Sequence, residues 1–258
     1  MSAIHPTAIV DARARLAAGV RVGPYTVIDG DVEVGEGTSI GAHCVLTGHT
    51  AIGRDNRIFH FCSIGEANQD KKYKGEPTRL TIGERNTIRE YCSLSRGTVQ
   101  GGGVTTVGHD NWIMAYCHIA HDCHVGDHTV FANNATLAGH VWIGDHTVLG
   151  GFTGVHQFVK VGAHVMAGVS SVVLQDIPPY VTVAGHPCAP HGINSEGLKR
   201  RGFTPEALAA LKRAYRTLYK SGLSLAEARA QLEQQAQAAP EVGALVDFLA
   251  TSTRGIVR

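Results

Sequence analysis

Aliphatic residues recur along this chain at every sixth position. From Ile4 the series runs through Val10, Leu16, Val22, Ile28, Val34, Ile40, Leu46, Ile52, Ile58 and Ile64. After a pause it resumes in the same phase at Ile82, Ile88 and Leu94. A Gly-rich stretch around residues 101–103 shifts the phase by one, and Val107, Ile113, Ile119, Val125, Phe131, Leu137, Ile143, Leu149, Val155 and Val161 follow. A period of six does not fit a helix, and it contains the two-residue period of a strand. The residue after the aliphatic one is often Gly (Gly23, Gly35, Gly53, Gly65, Gly126), and the residue four after it is small (Ala8, Thr26, Thr38, Thr129, Thr147). The pattern predicts short strands and turns coiled into a parallel β-helix, with the glycines allowing tight corners of positive φ.

Two segments leave the repeat, near 66–80 and near 95–106. After about residue 190 the pattern turns helical. Thr204-Pro205-Glu206 reads as an N-cap, an N1 proline and a first-turn acid. Ser224 with Glu227 reads as a capping box heading a helix to about Ala238, and Pro240 opens another. The division predicted is a mainly β domain over 1–190 and a small α-helical C-terminal domain over 191–258.

Composition agrees. Gly is 31 of 258 residues and aromatics are 6%, as expected where small residues build a narrow repetitive backbone. Hydrophobic residues are 43% and charged ones 17%, which excludes a disordered chain. Net charge is +1, so no global basic field points to nucleic acid. No stretch is long and apolar enough to span a membrane. The first residues lack a basic segment followed by an apolar one, so no signal peptide is expected and a reducing cytoplasm is. The span 196–220 carries seven basic residues against two acidic ones, a surface suited to an acidic partner.

Five cysteines (Cys44, Cys62, Cys92, Cys117, Cys123) fall on the small interior position, which reads them as core fillers rather than disulfides or zinc thiolates. Cys188 lies outside the repeat, where exposure is expected. His118-x-x-His121-x-x-His124 has the look of a metal cluster. The six-residue repeat resembles that of the hexapeptide-repeat family, which implies a prism with one hexad per side; the three histidines then need not converge, and zinc shared at a subunit interface stays open. The same resemblance implies a coil of three hexads, and adding 18 residues then places His121, Gly139 with His140, and His156 with Gln157 on one ridge. Asp122 follows His121. A histidine, a backbone-accessible glycine and polar partners suit general-base chemistry beside an N–H donor. A solvated prism edge with incidental histidines is the alternative. The segment 66–80 carries Lys71, Lys72, Lys74 and Arg79 among acids, and long loops in a compact repeat are usually functional. The stretch GTVQGGGV over 97–104 reads as a flexible loop and is not a P-loop, lacking GK[ST].

The stretches IGEANQDKKYKGEPTRL, HIAHDCHVGD, NNATLAGHV, GVHQFVKVGAHVM, QDIPPYV and NSEGLKRRGF together resemble those of the UDP-N-acetylglucosamine O-acyltransferases, a branch of the hexapeptide-repeat family. The resemblance covers nearly the whole chain. It implies a left-handed parallel β-helix, a homotrimer with sites between neighbouring prisms, and no metal or cofactor. The implied reaction moves an (R)-3-hydroxyacyl group from acyl carrier protein to the glucosamine 3-hydroxyl of UDP-N-acetylglucosamine, the first step of lipid A biosynthesis. It further implies His121 as general base, Asp122 as its orienting partner and the Gly139 N–H as oxyanion donor. Asp70, Lys72, His118 and His140 would contact substrate. Gln157, Asn194, Glu196, Arg200 and Arg201 match positions that bind the nucleotide and phosphates. Val169, in AGVSS where relatives can have glycine, would shorten the accepted acyl chain. Two rivals remain. A zinc enzyme like the gamma-class carbonic anhydrases is disfavoured by the KRRGF tail. A non-catalytic β-solenoid scaffold is disfavoured by the two loops and the ridge of unlike residues. A third, the later N-acyltransferase of the same pathway, needs an N-terminal uridine-binding domain, for which hexads beginning at Ile4 leave no room.

Overall fold

The computed structural model describes residues 3–258. Short strands, most of two residues, stack into three sheets of 11, nine and eight strands, parallel but for the last pair of the first, that form the sides of a prism. The register steps by one coil: His124 pairs with Trp142 and Trp142 with Lys160, and side chains bond across the same 18-residue step. The step lengthens to 30 residues between Asn56 and Asn86, and to 25 between Asn86 and Asn111, where the two loops leave the coil.

The six-residue series is the interior. From Val22 to Val161 every member is buried to 4% exposure or less. Ile4 is exposed because no coil lies beneath it. The small position satisfies backbone acceptors as well as space. Thr26, Thr38 and Thr147 donate their hydroxyls to the carbonyls of Gly41, Gly53 and Gly162 at 2.7–2.9 Å. The five repeat cysteines are buried and use their thiols the same way, Cys44 to the Phe59 carbonyl and Cys123 to that of Ala138. Burial pushes the Cys123 thiol up to about 12, which fits an inert filler. Asn56, Asn86 and Asn111 form a buried ladder in which each side-chain oxygen accepts the backbone N–H one coil on, ending at Thr129.

Two expectations are corrected. Of the glycines following the aliphatic position, Gly65 has positive φ (78°), while Gly23, Gly35, Gly53 and Gly126 do not. The left-handed corners are instead filled by non-glycine residues two places further on, among them Tyr25, His43, Asp122 and His140. Glycine is needed for close approach: a Cβ on Gly23 or Gly35 would meet the backbone of the next coil at 2.7 or 2.5 Å. Cys188 is buried rather than exposed, because the strand Cys188–Ile193 folds back antiparallel on Val181–Gly185 and closes the end of the first sheet.

Four helices follow: α1 (Ser195–Arg200), α2 (Pro205–Tyr219), α3 (Leu225–Ala238) and α4 (Gly243–Thr251). Thr204 caps α2 with Pro205 in its first turn, and Ser224 with Glu227 forms a complete capping box on α3. The helices share a core of their own, including Leu211, Leu218, Leu232 and Leu245. The last residues return to the prism, where buried Asp176 accepts from the Ser252 hydroxyl and the Lys160 N–H. Lys160 reaches the Thr251 carbonyl at the end of α4, a cation placed where the helix dipole favours it.

Candidate active site

His118 and His124 sit on strands of two different sheets, and His121 lies at the corner between them. The three histidines therefore fan apart. Nδ1 of His118 bonds the Ser93 hydroxyl at 2.7 Å, and Nδ1 of His124 that of Thr106 at 2.6 Å.

The corner itself gathers a different group. Nδ1 of His121 lies 2.8 Å from Oδ2 of Asp122, whose side chain is 1% exposed. A donor at Nδ1 fixes the tautomer, which leaves Nε2 as the basic nitrogen. Asp122 occupies a left-handed corner (φ 57°), and its N–H donates to the Thr105 hydroxyl. Thr98 closes the other side of the carboxylate: its N–H donates to Oδ1 at 2.8 Å and its hydroxyl to Oδ2 at 2.6 Å. The glycine-rich loop is thus packed on Asp122, not free, and contains a 3-10 turn over Val99–Gly101.

One coil up, Gly139 lies directly against the His121 ring; a Cβ there would meet Cε1 at 2.4 Å and Nε2 at 2.6 Å. Its N–H donates to no group among the described residues. His140 packs edge-on to His121 at 5.0 Å and stacks on Phe158 at 4.3 Å. Burial lowers the His140 pKa, against the pull of Asp122 3.8 Å away. Burial also lowers that of His118, helped by His121. Both imidazoles are held toward the neutral form. His118, His121 and His140 floor a cleft of about 710 Å³ whose wall includes Asp70, Lys72, Gln157 and Phe158. The loop 66–80 supplies Asp70 and Lys72, tied together because Asp70 accepts the Lys72 N–H. A hollow of about 760 Å³ near the start of the third sheet is lined by Ala14, Gly35 and Ala51 together with Arg15 and Glu33, without an imidazole or thiol.

His121, Asp122 and His140 could bring one ligand atom each within 4.8 Å of the others. Oδ2 of Asp122 already receives the Thr98 hydroxyl and the His121 Nδ1. That donor set is one carboxylate and two imidazoles, not the three histidines of the sequence motif.

Five residues singled out in the sequence fall elsewhere in the same chain. Asn194 caps α1, accepting the Gly197 N–H and donating to the His164 carbonyl. Arg201 donates to the carbonyls of Gly197 and His146. Glu196 pairs with Lys199, and Arg200 is exposed. This cluster lies along the corner of stacked His146 and His164, not the corner of His121. Val169 is 71% exposed at the third corner, above Gly151. Sequence reasoning missed Thr98, Thr105, Ser93 and Phe158. Phe158 is one coil above His140, so the 18-residue step could have found it.

A prism of hexads with a carboxylate-backed histidine at one corner defines a hexapeptide-repeat transferase. The family model described as "Bacterial transferase hexapeptide (six repeats)" matches residues 13–48 and 105–139. That described as "Udp N-acetylglucosamine O-acyltransferase; Domain 2" matches residues 176–257. The acyl-[acyl-carrier-protein]--UDP-N-acetylglucosamine O-acyltransferase of Thiobacillus denitrificans is 65% identical over the full length of both chains. That of Halorhodospira halophila is 55% identical, again over both full lengths. The structure of LpxA from Acinetobacter baumannii superposes with a TM-score of 0.97 at 48% identity, covering 99% of each chain. The UDP-N-acetylglucosamine acyltransferase of Francisella novicida gives 0.97 at 41% identity, over 99% of this chain and 94% of that one. The chain belongs to the acyl-[acyl-carrier-protein]--UDP-N-acetylglucosamine O-acyltransferase family, the enzymes of the first step of lipid A biosynthesis, and its coil is the left-handed β-helix of that family.

Proposed function

We propose that His121 is the general base for transfer of an (R)-3-hydroxyacyl group from acyl carrier protein to the 3-hydroxyl of UDP-N-acetylglucosamine. The observation that carries the reading is the His121–Asp122 pair at 2.8 Å beneath the unpartnered Gly139 N–H. Nε2 takes the proton of the sugar hydroxyl as its oxygen attacks the thioester carbonyl. The carbonyl oxygen gains negative charge, which the Gly139 N–H stabilises. As the tetrahedral intermediate collapses, the carrier thiol leaves with the proton from His121. Asp122 keeps the imidazole in the right tautomer and stabilises the imidazolium, a role that its buried, fully hydrogen-bonded carboxylate suits. Asp70, Lys72, His118, His140 and Gln157 hold the sugar and the acyl chain.

The second cluster, with Asn194, Glu196, Arg200 and Arg201, stands on another corner. In a homotrimer it completes the site from the neighbouring subunit, where Arg200, exposed, offers a guanidinium to the diphosphate. The basic span 196–220 then faces acidic acyl carrier protein. Val169, protruding from the third corner, limits the acyl groove. The six thiols are free, consistent with a reducing cytoplasm, and no helix among the described residues is long and apolar enough to cross a membrane.

The test is incubation of the protein with (R)-3-hydroxyacyl–acyl carrier protein and UDP-N-acetylglucosamine, with the product mapped by mass spectrometry and NMR. Acylation at the glucosamine 3-oxygen is expected. Acylation at another atom, or no transfer with any chain length, overturns the reading.

A further inference from the structure

We propose that Thr98 is a positioning residue for the acyl transfer, acting through Asp122 on His121, and that the loop 97–103 exists to keep that carboxylate dry and correctly turned. The inference rests on the general-base reading of His121.

Asp122 has two oxygens and one of them must face the imidazole. A carboxylate bonded on one side alone can rotate about its Cβ–Cγ bond. Thr98 removes that freedom by holding both oxygens at once, with its N–H on Oδ1 at 2.8 Å and its hydroxyl on Oδ2 at 2.6 Å. Two donors on a 1% exposed anion also supply the hydrogen bonds that water would otherwise give. Thr98 is itself 2% exposed and locked in place. Its hydroxyl accepts the Gly101 N–H, and its carbonyl accepts the Gly103 N–H at 2.8 Å.

The glycines of the loop have a matching reason. A Cβ on Gly97 would lie 2.7 Å from Oδ1 of Asp122, and one on Gly101 between 2.1 and 2.4 Å from the carboxylate atoms. Any larger residue pushes the loop off and lets water reach the anion. A step of 25 residues, in place of 18, is thus the extra length that closes this cap.

The test is steady-state kinetics of Thr98→Val, Thr98→Ser and Gly101→Ala, each also placed in a His121→Ala background, with melting temperature recorded for every variant. Thr98→Val keeps the side-chain shape and loses the hydroxyl donor. Its kcat is expected to fall about tenfold or more, with KM for UDP-N-acetylglucosamine within about twofold of wild type. Thr98→Ser is expected to restore kcat to within about threefold, since it returns the donor. Gly101→Ala keeps every hydrogen-bonding atom and is expected to show the same loss of kcat alone. In the His121→Ala background Thr98→Val is expected to cost nothing further, because the group it positions is gone. Wild-type kcat in Thr98→Val, failure of serine to rescue, or an equal loss in the His121→Ala background each overturns the role of Thr98. Those results leave the general-base reading standing, which falls only if His121→Ala itself keeps its rate.

Discussion

The His121 ring packs against Gly139, so close that a Cβ would sit 2.4 Å from Cε1. Only glycine lets the base and the free N–H of the next coil share one small volume. Gly139→Ala is therefore expected to push the imidazole away from Asp122 and cut kcat by about 10²-fold, the scale of a misplaced general base. Gly139 is buried, so the added methyl is expected to lower the melting temperature as well. Steady-state kinetics with a melting curve checks this. Wild-type kcat would show that the close fit of His121 on Gly139 is not needed for transfer.

The two clusters on different corners bear on assembly. If His121 and Arg200 meet only across a subunit boundary, a His121→Ala chain and an Arg200→Ala chain can complement. Random co-assembly of the two in a closed trimer leaves about a quarter of the sites with both residues intact. Co-expressed, tagged and purified together, the mixture should regain activity toward that level, above either variant alone. A mixture no more active than its parents would place both residues' roles within one chain.

Val169 projects from the prism with 71% of its surface exposed, above a Gly151 that adds no bulk. Val169→Gly should lengthen the preferred acyl chain in competition assays with a series of hydroxyacyl–acyl carrier proteins. Loss of a branched side chain from an apolar groove is worth about 1–3 kcal/mol in chain selection, or 10–200-fold. An unchanged preference would remove Val169 from the groove.

Acid stability should report the corner of stacked histidines. His128, His146 and His164 stack at 4.8 Å spacings. Burial lowers His164 to about 4 from its ordinary 6.5, and lowers His146 as well. The folded chain refuses protons that the unfolded chain accepts. Stability is therefore full above pH 6.5 and is lost as pH falls toward 4, at up to about 1.4 kcal/mol per pH unit for each proton. His164→Phe keeps a ring for the stack with Tyr180 and Phe203, and its melting temperature should fall less between pH 7 and pH 5. An identical slope would clear His164 of the effect.

The repeat was legible because a β-helix writes its geometry into the chain: each hexad is one side, and every interior position recurs. That alone put His121 beneath Gly139 and Cys44 in the core. It could not show why Gly23 is a glycine, since close approach and positive φ select the same residue and only coordinates separate them. Nor could it show what the loop 97–103 covers. Loops dock without periodicity, so Thr98 carries no sign in the sequence that its two donors meet Asp122. Cys188 was misplaced for a related reason: the antiparallel return of Cys188–Ile193 breaks the hexad frame that would have marked it as interior. The separation of Asn194, Glu196, Arg200 and Arg201 from His121 was hidden because a resemblance transfers residues and not the corner, or the subunit, on which they stand.

The general-base assignment of His121 is tested most directly by the single-turnover rate of acyl transfer in His121→Ala, at saturating UDP-N-acetylglucosamine and with binding of that nucleotide measured separately. The rate should fall by about 10²–10⁴-fold, the range of a lost general base, while nucleotide affinity and melting temperature stay near wild type. A rate within about threefold of wild type at unchanged affinity, far short of a lost general base, would contradict the mechanism.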